Sequence, residues 1–512
     1  MNPNRKIVKN TIYLYLRILI NLFLGIYSSR VVLQALGVED YGIYNIVGGV
    51  VVLFSFLNDS LQAATQRFLN YEMGQNNEHG VKNIFQTAIY IHIILVIVIF
   101  LLSETVGLYV VNYQLTLPTG RHDAANVVFQ LSILCTLVGI IRIPFNALII
   151  AYEKMSFYAY LSIIETLLKL FTIICLLYVT FDKLILYALI ILFIVTLVTI
   201  CFIVYCKTAI RGISLCPKIH REVYCKMLSF TGWTLFGSMA NITAAQGVNI
   251  CMNHFCGVII NAGIGVANQL NGIIYQFVSN MQLAFNPSLV QHYSSGENEQ
   301  LRLLLYKSSR YSFYLILLFA LPLILNSDFV LHVWLEDNVP PYSGTFLIII
   351  LFCSILDAIS GPLWVTVQAA GRIKKYQLVI SSIIFFNLPL VYFILKYGGN
   401  PLLAYSVGIL MRLSITIYRV YFLSGIQVIR VWEYVKSVVR PTLVVAIMSF
   451  TFSILLSFVL GDFFDTFLAN IVLIFLQVGM TGATVFTMGM TSNERWVLID
   501  YLLKIKSKLT RS

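Results

Sequence analysis

Ionisable residues interrupt the long apolar runs of this 512-residue chain, among them Arg17, Asp59, Arg142, Glu165, Lys169, Asp357, Arg412 and Arg419. A charge at the centre of a membrane helix costs about 2.5 to 3.5 kcal/mol on insertion scales, so each needs either a partner or a task. With about 1.5 Å of rise per residue, Lys169 lies roughly 18 Å from the inner end of its run and Arg412 roughly 15 Å from the outer end of its own. Snorkelling to the interface is hard from either depth, and both suit the binding of an anion in a cavity. Glu165 precedes Lys169 by one turn on the same face, so the two can neutralise each other or act together. Asp357 is also near midplane, as a proton-coupling carboxylate or as a hydrogen-bonded structural one. Arg17 and Asp59 lie at matching depth on consecutive helices and can pair. Arg142, close to an inner helix end, can serve as a snorkelling anchor or face the cavity, while Arg30 and Arg67 are placed to be interfacial anchors or gates at its mouths. His92 sits alone on an apolar face, where a packed role is the commoner one.

No constellation for covalent chemistry accompanies these charges. The chain has no G-x-x-x-x-G-K-[ST], no H-E-x-x-H and no G-x-S-x-G. Gly263-x-Gly265 is followed by Asn268 where a third glycine would be needed. Nine cysteines without a C-x-x-C pair, and seven histidines without pairing, read as buried thiols rather than a metal site. The expectation is a protein that is not an enzyme and needs no cofactor or metal.

The elements that must hold the charges follow from composition. With 59% hydrophobic and only 11% charged residues, the chain cannot cover the surface of several soluble domains and belongs in a bilayer. The net charge of +12 falls in short gaps between apolar runs and forms no aromatic-interleaved patch, so nucleic acid is excluded as a partner. Spans of about 20 apolar residues recur at 11–33, 43–66, 84–105, 125–149, 157–179, 183–206, 228–255, 263–286, 309–327, 344–368, 376–396, 402–422, 441–460 and 467–489, fourteen in all. The first is too long for a signal-peptide core and reads as an uncleaved helix. With the amino terminus inside, 25 of the 34 Lys and Arg fall on the cytoplasmic side, four outside and five within spans. That asymmetry predicts an even number of helices with both termini cytoplasmic.

The chain also repeats itself. Pro144 matches Pro362, Tyr158 matches Tyr376, Leu184 matches Leu402 and Tyr187 matches Tyr405 at an offset of 218, and Gly37-Val38 matches Gly257-Val258 at 220. The fold class this implies is an all-α polytopic membrane protein of two six-helix lobes, 1–206 and 228–424, joined by a cytoplasmic linker, 207–227, and followed by two extra helices and a tail, 425–512. Side-chain amides crowd three helices. Asn58, Gln62 and Gln66 lie on the second, Asn249 and Asn253 on the seventh, and Gln269, Asn271, Gln276 and Gln282 on the eighth. Amides are costly in hydrocarbon, so they either glue helices together or face a wet cavity. The third, sixth, ninth and thirteenth helices are almost wholly apolar and suit lipid contact.

Ser29-Arg30-Val31-Val32-Leu33 and Leu36-Gly37-Val38-Glu39-Asp40-Tyr41-Gly42 between the first two helices, Ala64-Thr65-Gln66-Arg67-Phe68 closing the second and Pro144-Phe145-Asn146-Ala147 closing the fourth carry a resemblance. The chain resembles the multidrug/oligosaccharidyl-lipid/polysaccharide (MOP) exporter superfamily, and within it the Wzx-type polysaccharide flippases. The resemblance implies a bacterial inner-membrane flippase exporting an undecaprenyl-pyrophosphate-linked O-antigen or capsular oligosaccharide. Membrane lipids surround it, and a polysaccharide polymerase and glycosyltransferases are the protein partners such a role implies. On that reading Lys169, Arg412, Arg17, Arg142, Asn249 and Gln269 bind the headgroup, while Asp59, Glu165, Asp357 and Arg30 couple or gate. The alternatives are a MATE-type multidrug exporter, which would prefer acidic cavity walls, and a polysaccharide polymerase or ligase, which would need larger outer loops.

Overall fold

The computed structural model describes residues 13–17, 19–21, 24, 36, 40, 43–44, 56–113, 120–176, 178, 181–210, 218–335, 339–371, 373–460 and 467–496. Most of the first two expected spans, with Arg30, lies outside the described residues. Asp59 falls in a described helix, but its side chain is also outside them.

Among the described residues the structure is helical, without strands. In chain order the helices are α1 (Phe56–Gly74), α2 (Glu78–Leu102, extended by a π turn at Ser103–Gly107), α3 (His122–Ala151), α4 (Met155–Leu176), α5 (Lys183–Ala209) and α6 (Arg221–Ser294). Then come α7 (Asn298–Leu325), the short α8 (Ser327–Leu335), α9 (Ser343–Ala370), α10 (Ile373–Lys396), α11 (Pro401–Gly425), α12 (Arg440–Leu460) and α13 (Phe467–Thr484, with a π turn at Val485–Gly489). Ten described helices are long and apolar enough to cross a membrane, and they match the expected third to sixth and ninth to fourteenth spans. The protein is a multi-pass membrane protein.

One expectation needs correcting. Where two spans and a loop were expected between 228 and 286, α6 is hydrogen-bonded as one helix of 74 residues. A straight helix of that length would run about 111 Å, several times the roughly 30 Å hydrocarbon core, so α6 holds the length of two crossings. The sequence there has no proline before Pro287 to stop it.

Two compact units divide the chain: residues 1–239, 283–297 and 368–377 form one, and 240–282, 298–367 and 378–512 the other. In the first unit α3 is the central element, packed against α5, α1 and α2. Its C-terminal half shares a core with Phe85, Ala88, Val198 and Phe202 through Phe145 and Leu148, and its N-terminal half packs Phe129, Ile133 and Ile140 against Ile99. In the second unit α12 and α13 lie against α7. Polar contacts fasten them: Ser449 to Thr484 at 2.5 Å, Gln477 to Ser457 at 3.0 Å, Asn326 to Gln477 at 2.7 Å and Arg310 to Glu494 at 2.8 Å. The ninth expected span, α7, is therefore not a lipid-facing helix, and its most apolar stretch is 61% buried. Its apolar surface serves a protein core instead.

The repeat is legible in the helix ends. α1 stops at Gly74 and α2 starts at Glu78, while α6 stops at Ser294 and α7 starts at Asn298, each at an offset of 220. Left-handed residues mark the same corners: Asn76 (φ 54°) and Gly296 (φ 76°), then Glu153 (φ 54°) and Gly371 (φ 72°) at 218. Asp182 caps α5 by accepting from the Leu184 and Ile185 amides, and Asn400 caps α11 by accepting from Leu402, again at 218. Caps and corners are set by a few residues each, so they preserve register where apolar helix faces drift.

Candidate functional site

In the first unit, one face of α4 brings together Arg17, Arg142, Glu165 and Lys169, all singled out by sequence. Tyr158, Ser162, Glu165 and Lys169 follow one another at helical spacing, so they line a single stripe. The Arg17 guanidinium lies over the Tyr158 ring at 4.6 Å, and Asn21 donates to Ser162 Oγ at 3.0 Å. One turn on, Glu165 is shared. Its Oε2 accepts from Arg142 of α3 at 3.1 Å and its Oε1 from Lys169 Nζ at 2.7 Å. Arg142 also faces the Phe202 ring of α5 at 5.7 Å.

Two cations around one carboxylate leave an excess of one positive charge. Glu165 is 16% exposed, whereas Lys169 is 35% exposed, so the carboxylate is inside and the cation faces outward from the helix packing. Arg142 is correspondingly a partner of Glu165, not an anchor snorkelling to the interface. Arg17 contacts Tyr158, and its expected pairing with Asp59 falls on a side chain outside the described residues.

The second unit builds its cluster from α9, α11 and α6. Arg412 Nε donates to Asp357 Oδ2 at 2.7 Å, so the midplane carboxylate and the midplane cation of the sequence are one ion pair. Gly408, one turn earlier on α11, leaves room for the guanidinium; a Cβ there would lie 3.3 Å from Arg412 NH1. Seven residues on, Arg419 donates to Ser360 at both its carbonyl (3.2 Å) and Oγ (2.8 Å), and lies 5.7 Å from the Trp364 ring. Both members of the Arg412–Asp357 pair are close to 40% exposed, so neither is sealed within the helix packing.

An open, shallow cavity of about 520 Å³ in this unit is bordered by one stretch of α6, through Gln269, Asn271, Gly272, Ile273, Tyr275, Gln276 and Ser279. Tyr275 lies in the electrostatic field of Asp357, Arg419 and Arg412. The amides fill both of the roles that composition left open, Asn271 serving in each. Asn271 accepts from Ser354 Oγ at 2.7 Å, Gln282 donates to Ser312 Oγ and to the Ala358 carbonyl at 3.1 and 3.0 Å, and Asn268 bonds Tyr405, so these three join helices. Gln269 and Gln276 line the cavity. Asn249 lies on the earlier part of α6, outside this lining.

Sequence reasoning passed over Tyr275 and gave Arg419 no role. A signal for Arg419 existed: it stands two turns after Arg412 on one face, opposite Asp357, Ser360 and Trp364 at helical spacing on α9.

Residues 248–393, from α6 into α10, match the MatE family model. The fold is similar to that of a multidrug resistance MATE family transporter of the MOP superfamily in an outward-facing conformation, with a TM-score of 0.69 at 13% identity over 84% of this chain and 96% of that one. It is also similar to a MATE structure in complex with MaD3S, with a TM-score of 0.68 at 13% identity over 83% and 97% of the two chains. A third likeness is to a MOP superfamily transporter from Pyrococcus furiosus, described as having a binding pocket of reversed polarity that suggests a different function. There the TM-score is 0.68 at 14% identity over 85% of this chain and 97% of the other. No curated protein matches the chain in sequence. The fold is that of the MATE transporters.

Proposed function

We propose that the chain is an alternating-access exporter whose cargo is anionic, with a pyrophosphate-linked oligosaccharide on a polyprenyl lipid as the cargo class. The carrying observation is the charge balance of the two clusters. Glu165 is shared by Arg142 and Lys169, and Asp357 is paired with Arg412 while Arg419 stands two turns away. Each cluster holds more cations than carboxylates. Guanidinium and ammonium groups that are already ordered by a carboxylate are poised to accept phosphate oxygens as a further partner. Outward movement of a negative charge is also driven by an inside-negative potential, by about 2.3 kcal/mol per charge per 100 mV.

A second reading is export of organic cations. The MatE match and the multidrug transporter among the similar structures favour it more directly than they favour an oligosaccharide. Against it stands the engagement of both described cluster carboxylates by cations, which removes the acidic wall that a cationic drug would need.

A deletion strain separates the two. Mass spectrometry of its lipid extract should show an undecaprenyl-pyrophosphate oligosaccharide accumulating at least several-fold, with unchanged sensitivity to organic cations. An unchanged lipid pool together with raised sensitivity to cationic dyes would reject the anionic cargo in favour of the second reading.

A further inference from the structure

Four helix ends meet at one face of the first unit, two from each half of the repeat. Arg67, near the end of α1, donates from Nε to the Gln368 carbonyl at 2.9 Å and from NH2 to the Ala369 carbonyl at 3.0 Å. Those carbonyls close α9, where the last turn has no intrahelical donors and the helix dipole is negative. The rings of Phe68, Phe230 and Tyr71 surround the guanidinium at 4.5, 5.1 and 5.3 Å. Gly371 follows in a left-handed conformation, φ 72°, and a Cβ there would come within 2.6 Å of Arg67 NH2. The corner needs glycine both for its backbone and for the arginine.

The other half returns the contact. Gln291, near the end of α6, donates to the Ala151 carbonyl that closes α3, at 3.4 Å, and Ser288 Oγ donates to Glu153 Oε1 at 3.1 Å. Ala151 and Glu153 are the counterparts of Ala369 and Gly371 at 218, and Ser288 and Gln291 are the counterparts of Phe68 and Tyr71 at 220. Each half thus closes the fourth helix of the other. Between the two contacts lie Gly74 and Ser294, themselves counterparts at 220. A Cβ on Gly74 would fall onto Ser294 Oγ and within 2.8 Å of Gln291 Cα, so the two equivalent helix ends touch each other. This is the self-complementary pattern of a twofold dimer interface, built inside one chain.

We propose that this reciprocal closure is the gate of one mouth of the transport path, with Arg67 as its latch, made in the shut state and released in the open one. The proposal rests on the alternating-access reading. The basic residues at these helix ends in the first unit, Arg67 and Lys82 in one half and Lys374 in the other, assign the face to the cytoplasm. The chemistry suits reversal. All the polar bonds are made at helix termini beside the membrane surface, where water can replace each lost partner, so opening strands no group in hydrocarbon.

Two measurements test it. In a Glu153→Cys/Ser288→Cys protein, a short bifunctional thiosulfonate should bridge the two side chains in membranes. Export should fall at least tenfold and return with reductant, while the native chain given the same reagent keeps its rate. Bridged protein that exports at the native rate overturns the gate. Separately, a Ser294→Cys reporter should react at least threefold faster with an impermeant maleimide in inside-out vesicles when Arg67→Gln is added. An unchanged rate at normal abundance overturns the latch. If the native chain moves no lipid-linked cargo at all, the export reading fails, and the maleimide rates still decide whether this face opens.

Discussion

Exchange of Glu165 for glutamine is expected to remove most of the folded protein from the membrane. The substitution leaves Arg142 and Lys169 facing one another without the carboxylate that each now bonds, at 3.1 and 2.7 Å. Removing one member of a buried ion cluster costs about 3 to 5 kcal/mol, because the charges left behind are neither solvated nor paired. Lys169 is about one-third exposed, so part of its charge finds water, and roughly 2 to 3 kcal/mol is the better expectation. For a protein of ordinary marginal stability this corresponds to a tenfold or greater loss of monodisperse protein on detergent size exclusion. Glu165→Gln combined with Lys169→Met should recover a large part of it, since only one cation then lacks its partner. Normal recovery of the single variant would show that the three side chains do not share a site.

Arg412 should behave in the opposite manner, with a small effect on abundance and a large one on export. Its pair with Asp357 is about 40% exposed on both sides, more than any member of the Glu165 cluster, and such partly exposed pairs contribute about 1 kcal/mol or less. Arg412→Gln should leave abundance within twofold of normal and reduce export at least tenfold, because the cation and not the pair is what an anionic headgroup requires. The Arg412→Gln/Asp357→Asn protein then regains no export. If it does regain export, the pair is a structural neutralisation and the cargo reading loses its second cluster. Export and abundance measured on the same membranes separate the two outcomes.

The parts of this protein that were legible in the sequence are those fixed by local pattern. Apolar runs of about 20 residues gave ten of the spans because insertion into hydrocarbon depends on length and composition, not on neighbours. The repeat was legible at Pro144 and Pro362 because a proline inside a helix is rare enough to be informative, and the structure adds the matching corners at Glu153 and Gly371. The continuity of α6 was not legible: glycines 257, 263 and 265 signal a turn locally, and the structure keeps them helical. Partnerships were the least legible. Lys169 and Glu165 are four residues apart on one helix, so their contact follows from spacing, whereas Arg142 reaches Glu165 from α3 and Arg412 reaches Asp357 across from α11. Such bonds depend on which helix faces lie together, and that is decided by tertiary packing of α3 with α4 and of α9 with α11. The burial of α7 was hidden for the same reason, since an apolar surface suits lipid and protein equally.

The charge balance of the two clusters is best tested by moving charge. Purified protein in proteoliposomes, supplied with a fluorescent undecaprenyl-pyrophosphate oligosaccharide in one leaflet, should transfer it towards the side made positive by a valinomycin-imposed potassium gradient. The rate should rise with the potential and fall when the gradient is reversed, and an organic cation such as ethidium should be left in place. Transport of ethidium without any transfer of the pyrophosphate lipid, at either sign of the potential, would contradict the account.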